Sequence, residues 1–459
     1  MLPLPEPLRA LLGLKRRTSE ETPTTSWALL NDNPTFRLYF CGSVVSDLGT
    51  WLQNTAQVLL AYQIAHSVLM VGLVTCAQFS SPLLLSPFAG KITDRFGSRR
   101  ILIGTQVMAC LVAAALSYLV FTGVLTSGLL ELGALLSGLC FTFALPARNI
   151  TVRRLVNDDE VKVRPAFAMD SVSYNLGRMV APAMSIALVH WVGFGWAFVG
   201  NSVSFAVFIA VLLAVGRSGS VETERRSRAT DGFRIASRDG TIIVLLLMVA
   251  AITVADDPIL VLGPALASRA GGSAELSGWF IAALGLGSVL GSLRRSTHVA
   301  SLRLAATALA LLGGSMIFFV MTPWLLASIA AAFCAGVSCL IANATTRALL
   351  SEVAGKDRVA AVMSVWAIAW AGSKPFASLA DGFLAGYIGL RWTGIVLAIP
   401  ALIPVVVLLF LPKLGQRIAR YSRPSDEEPA VVVVEPVPVL VSAGAPTWQF
   451  AEAMSGSAD

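Results

Sequence analysis

Charge is what this sequence has least of. Asp, Glu, Lys and Arg supply 13% of its 459 residues, against about 25% in soluble domains, and that shortfall excludes an ordinary soluble fold. Cysteine is equally uninformative as chemistry. The six (Cys41, Cys76, Cys110, Cys140, Cys334, Cys339) all lie in apolar sequence without metal-site or disulfide spacing, so they are expected as small core residues. The three histidines, His66, His190 and His298, are scattered, and no metal site is expected. There is no Gly-Lys-Ser/Thr phosphate loop, which excludes direct drive by ATP, and no nucleophile–base constellation. No catalytic residue, cofactor or nucleic-acid partner is therefore expected. Residues 1–33 lack an apolar run leading into a small-residue cleavage site; the first apolar block is expected to serve as an uncleaved insertion signal.

What the chain has in abundance is apolar blocks of membrane-spanning length, about 20 residues each. Twelve can be counted: 36–63, 68–90, 100–122, 127–147, 165–190, 193–215, 240–267, 276–294, 301–320, 324–347, 358–386 and 392–412. Only helices or closed barrels satisfy the backbone in lipid, and blocks this long without strict alternation read as helices. The fold class is an all-α membrane protein with twelve spans. Its segments divide into residues 1–34, a six-helix bundle at 35–215, an arginine-rich flexible linker at 216–239, a second bundle at 240–412, and a disordered tail at 413–459.

Basic residues fix the orientation. Apart from Arg269 and Arg391 in odd-numbered connections, and Arg178 and Lys374 within helices, 30 of the 34 fall at the termini or in even-numbered connections. That end is assigned to the cytoplasm, with both termini on it. Trp191, Trp196, Trp279, Trp324 and Trp392 mark the opposite end as an interfacial aromatic belt. A 193-residue slide sets Arg154 on Arg347, Pro182 on Pro375 and Ser185 on Ser378. A parallel internal repeat follows, which places a substrate site between the halves near the midplane.

The second and third blocks are joined by "GKITDRFGSRR", Gly90 to Arg100. This resembles the G-x-L-x-D-R-x-G-R-[KR] signature of the major facilitator superfamily, in the expected connection of a twelve-helix chain. Residues 33–74 and 145–156 ("LPARNITVRRLV") look like the drug-exporter branch with macrolide-efflux and enterobactin-exporter relatives, and 349–365 is the best match in the second half. The resemblance spans residues 31–412. It implies that Gly90, Asp94, Arg95, Gly97, Arg99 and Arg100 form a gating motif. Asp94 would latch the cytoplasmic end against the start of the eleventh helix while the transporter faces outward; a helix N-terminus there offers about half a positive charge. Gly90 and Gly97 fit close packing and a tight turn, while Arg99 and Arg100 need do no more than fix topology. In the fifth helix "GRMVAPAMS" keeps Gly177 and Pro182 of an efflux packing motif but replaces two glycines with Ala181 and Ser185.

Ionisable residues at bilayer depth are costly and are functional candidates by default. Here they are Asp47, Arg178, Asp256, Asp257, Lys374 and Asp381. By the resemblance, the first and seventh helices line the central cavity, so Asp47 and Asp256/Asp257 are expected to face one aqueous space. Two compatible readings stay open: these acids carry the coupling proton, or they pair with Arg178 or Lys374 between helices. Lys374 and Asp381 share one helical face, as cavity charges with partners on other helices or, for Lys374, with an anionic substrate group. The expected function is export of a small amphipathic organic molecule (a drug, antibiotic or siderophore-like metabolite) by proton antiport. The transporter is expected as a monomer in the cytoplasmic membrane. An importer or symporter of the same fold, or a non-transporting sensor or scaffold, is the alternative.

Overall fold

The computed structural model describes residues 26–216, 229–270, 272–292, 301–355 and 358–410. The expected N-terminal segment up to residue 25, linker residues 217–228, His298 and the tail from residue 411 lie outside them. Among the described residues the secondary structure is helical throughout: α1 (Ser26–Asp32), α2 (Pro34–Ala65), α3 (Val68–Phe96), α4 (Ser98–Phe121), α5 (Ser127–Leu155), α6 (Glu160–Val192), α7 (Phe194–Ala214), α8 (Ala229–Ala236), α9 (Gly240–Val261), α10 (Gly263–Arg269), a 3-10 turn (Ala274–Ser277), α11 (Gly278–Ser292), α12 (Leu302–Met321), α13 (Leu325–Ala354), α14 (Val359–Tyr387) and α15 (Leu390–Phe410).

The polar residues of the connections start the long helices. Asn33 accepts the Phe36 amide at 2.9 Å ahead of Pro34, whose missing N–H costs nothing at a first helical position. Asp159, Asp239 and Ser301 accept from Val161, Thr241 and Leu304, each satisfying one orphan amide of a helix start. The turn between α3 and α4 is the single residue Gly97, at φ 86°, a left-handed backbone that favours glycine.

Each of the twelve apolar blocks becomes a helical run, with three corrections. The seventh block is not one helix; it breaks at Leu262 into α9 and α10. The linker is not flexible throughout, because 229–236 form α8, which packs on α14. And α5 continues past the fourth block to Leu155, so Arg148 belongs to a helix and not to a connection. Among the described residues, eight helical spans are long and apolar enough to cross a membrane by length and composition, with Leu390–Val406 of α15 a shorter apolar stretch. The other long helices, α2, α6 and α14, carry Asp47, Asp170, Arg178, Lys374 and Asp381.

Helices α2–α7 pack mainly on one another, as do α9–α15. Between the halves the major contacts are α3 with α14 and α6 with α11, second with eleventh span and fifth with eighth, as a two-fold repeat requires. The aligned serines behave alike: Ser185 and Ser378 are fully buried, and each hydroxyl donates to the first helix of its own half, to the Leu52 carbonyl on α2 and to Asp257 Oδ2 on α9. At the tryptophan end the halves meet at glycines. A Cβ on Gly72 would lie 2.4 Å from the Ser378 carbonyl oxygen, one on Gly382 2.9 Å from Leu69 Cα, and one on Gly278 2.6 Å from Ile186. His190 Nδ1 lies 3.6 Å from Glu275 Oε2 there. At the basic end Asp94 and Arg358, on the facing ends of α3 and α14, are both exposed.

A side chain at Gly72 therefore wedges the tryptophan end apart. In a chain keeping Cys76 as its lone cysteine, Gly72→Leu is expected to raise labelling of Cys76 by an impermeant thiol reagent applied from that end; unchanged labelling would show that this contact does not close the molecule.

Candidate functional site

Two charged clusters occupy the interior. The first lies wholly within the first half. Arg148 on α5 grips Asp47 on α2 with both terminal nitrogens, Nη1 to Oδ1 and Nη2 to Oδ2, each at 2.8 Å. Its Nε donates to Asp170 Oδ1 on α6 at 2.8 Å, and Nη2 also reaches Ser43 Oγ at 3.1 Å. Ser173 donates to Asp47 Oδ2 and lies 2.8 Å from Ser43 Oγ. A planar guanidinium with five donors suits such a fork. The result ties α2, α5 and α6 together and leaves both Asp47 oxygens satisfied.

The second cluster sits where the halves meet. Consecutive residues of a helix project about 100° apart, and Asp256 and Asp257 use that angle to face different helices. Asp256 meets Arg178 of α6, in the other half, at 3.6 Å. Asp257 is fully buried and faces α14, where Lys374 Nζ lies 2.8 Å from Oδ1 and Ser378 donates to Oδ2 at 2.6 Å. Asp381, also fully buried, lies one turn beyond Ser378 on the face of α14 that meets Asp257. Lys374, Ser378 and Asp381 are spaced i, i+4, i+7, one face of a helix. Aromatic rings line both cations: Arg178 lies over Trp51 at 5.7 Å and Lys374 over Phe79 at 5.6 Å, within cation–π range. Trp51 in turn meets Tyr174 edge-on. The arrangement can hold charge, exchange a proton and contact an aromatic or polar solute.

Helix α6 reaches this centre because of its small residues. A Cβ on Gly177 would lie 2.8 Å from the Asp47 carbonyl oxygen, so α6 can touch the α2 backbone only with glycine there. Pro182 has no N–H, which frees the Arg178 carbonyl one turn earlier; Gly285 of α11 packs on it, its Cβ position 2.8 Å from that oxygen.

The profile of the transmembrane secretion effector family matches residues 24–441. The chain belongs to this family, within the major facilitator superfamily. It is 24% identical over 261 residues to the uncharacterised MFS-type transporter YfiS of Bacillus subtilis (54% of this chain, 60% of that one), and 26% over 181 residues to the staphyloferrin A transporter of Staphylococcus aureus (39% and 44%). It is 24% identical over 174 residues to the putative multidrug resistance protein MdtD of Salmonella newport (38% and 36%). The chain thus aligns with less than two thirds of each relative's length. Its fold is that of an inward-facing, unoccupied bacterial homologue of the human lysosomal transporter Spinster (TM-score 0.61, 14% identity, 85% of this chain and 98% of that one). The nucleoside transporter NupG shares it as well (0.63, 12%, 84% and 100%).

In this major facilitator chain the expected site residues divide. Arg178, Asp256, Asp257, Lys374 and Asp381 come together, whereas Arg148 holds Asp47 inside its own half, where it pairs with neither Arg178 nor Lys374. Arg148 and Asp170 escaped sequence reasoning, the first because it follows the end of the fourth apolar block like a topology-setting arginine, the second because it lies only six residues inside the fifth block, near the basic connection. The available signal was the arginine of "LPARN" inside a helical run. In the gating motif, Arg99 does more than fix topology: its Nη2 donates to the Leu212 and Leu213 carbonyls at 3.2 and 3.3 Å, capping the end of α7. Arg95 lies over Phe96 at 5.4 Å, Gly90 is buried, and Asp94 and Arg100 are exposed. Asp94 has no partner among the described residues.

Removing one member of a buried pair costs about 3–5 kcal/mol because the other charge is stranded. Arg148→Gln is thus expected to lower the thermal stability of the detergent-purified protein sharply, and adding Asp47→Asn to restore part of it. Simple additivity of the two losses would mean the fork carries no coupling.

Proposed function

We propose that this chain is a secondary active transporter that carries small amphipathic organic molecules (drug, antibiotic or siderophore-like) out of the cell in exchange for protons. The single observation that carries the reading is the cluster of three acids and two bases at the meeting of the halves, in a bundle closed at one end. Charges at bilayer depth are retained where they serve substrate or ion pathways, and a ligand between two rocking halves is exposed to each side in turn. Outward transport is supported by the family's description as secretion effectors and by relatives named for siderophore transport and multidrug resistance. The proton gradient supplies the energy, no cofactor or enzymatic step is needed, and the transporter works as a monomer in the cytoplasmic membrane with both termini inside. When closure passes to the basic end, Asp94 meets the positively polarised start of α14 and latches it.

Inverted membrane vesicles energised with a proton gradient are expected to accumulate one or more members of a panel of lipophilic fluorescent compounds, and an uncoupler to abolish it. Movement in the opposite sense would make the chain an importer, and no flux with any compound would favour a sensor. Asp94→Asn is expected to insert normally and turn over roughly tenfold more slowly, the factor that about 1.4 kcal/mol represents; full turnover would return Asp94 to the role of a solvated loop acid.

A further inference from the structure

The second cluster does not balance. Among its five charged groups, Arg178 is taken up by Asp256 at 3.6 Å, which leaves two fully buried carboxyl groups, Asp257 and Asp381, to one ammonium. That ammonium is spent on Asp257 Oδ1 at 2.8 Å, and Ser378 is spent on Oδ2. Neither oxygen of Asp381 has a hydrogen-bond partner among the described residues, although Asp257 stands within reach. A buried carboxylate without a donor is among the costliest arrangements a protein can hold. Two carboxyls side by side relieve it by keeping one proton between them.

We propose that Asp257 and Asp381 form a proton-binding pair, with one proton held on Asp381 and donated to Asp257, and that Lys374 sets its charge balance. The other groups facing the pair do not remove the need for that proton. Asp256 adds negative charge beside it and is matched by Arg178, Cys76 on α3 contributes a thiol near Asp257, and the Cys339 thiol on α13 lies on the Asp256 side. Asp47, by contrast, has both oxygens filled by Arg148 and Ser173. With the proton in place the five groups sum to zero. Release breaks the Asp381 O–H bond, leaves its electron pair on the carboxylate and passes the proton to water, so that Lys374 then faces two carboxylates. Because Lys374 also lies over Phe79 on α3 of the other half, its movement toward Asp381 loosens an inter-half contact. That is a direct route from proton occupancy to the α3–α14 closure. The site's existence does not depend on the antiport reading, but its role in coupling rests on it.

Infrared spectroscopy of the full chain in an ester-free detergent tests the pair without any substrate. At neutral pH the wild type is expected to show the deuterium-sensitive carbonyl stretch of one protonated carboxylic acid per chain, which disappears on strong alkalinisation. Asp381→Asn and Asp257→Asn, each of which keeps one carboxylate against Lys374, are expected to lose it. Asp47→Asn, which lies outside the cluster, is expected to retain it. No such band in the wild type, or a band that survives both Asp381→Asn and Asp257→Asn, overturns the proposal even if vesicle flux proves proton-driven. A band that behaves as expected alongside flux indifferent to the proton gradient leaves the site standing and removes the antiport reading instead.

Discussion

Every charge that this chain carries at bilayer depth must be answered by another part of the chain, because lipid offers neither water nor counter-ions. That constraint decides which helices go together. Arg148 binds α5 to α2 and α6, Lys374 and Ser378 bind α14 to α9, and Arg178 joins α6 to α9 across the halves. Low hydropathy in α2, α6 and α14, which carry Asp47, Asp170, Arg178, Lys374 and Asp381, marks the inside of the bundle and not a failure to span, while α5 and α9 carry Arg148 and Asp256/Asp257 within strongly apolar spans.

The two clusters solve the same problem to different degrees. In the first half the guanidinium is forked onto one carboxylate, bonded to a second and supported by two serines. A network so nearly saturated is a brace, for any movement of α2 against α5 must break several charge-assisted bonds together. In the second cluster the Arg178–Asp256 contact is long and Asp381 lacks donors. Incomplete compensation leaves such a site sensitive to a proton, a solute or the position of the neighbouring half. The close contacts around it favour movement too. Glycine against backbone at Gly72, Gly285 and Gly382 gives smooth faces that part without unlocking interdigitated side chains.

Much of this was legible in the sequence. Twelve helices follow from block length, the two ends from arginine and tryptophan placement, and the turn at Gly97 from a motif that needs a left-handed residue. The serines at 185 and 378 were aligned by the repeat before either had a partner. What could not be read was pairing. Hydropathy ends the fourth block at Ala147, so Arg148 looks like the first residue of a basic connection, although the helix continues for two more turns and turns that guanidinium inward. Asp256 and Asp257 are adjacent in the chain and therefore look equivalent; their 100° separation gives one to each half. Spacing sets Lys374 and Asp381 on one face, but only the packing of α9 against α14 shows that Asp257 stands with both.

The gating turn shows the same division between brace and movable part. Arg99 is fixed, since it caps the carbonyls at the end of α7 and so holds the start of α4 against its own half. Asp94, one turn earlier on α3, is exposed and has no partner among the described residues, while the halves meet at the tryptophan end. An anchored arginine beside an unengaged aspartate keeps the turn in place whichever end is closed, so a latch there need not refold the loop each time it engages. Closure at the basic end then requires only that the start of α14 approach the end of α3. Those are the helices whose contact at the other end is made by Gly72 and Gly382 and whose middle holds Lys374 over Phe79. One pair of helices therefore carries a glycine contact at the tryptophan end, a charged centre and, on the proposed function, a latch at the basic end, so that tilting it about that centre would tighten one end as it releases the other.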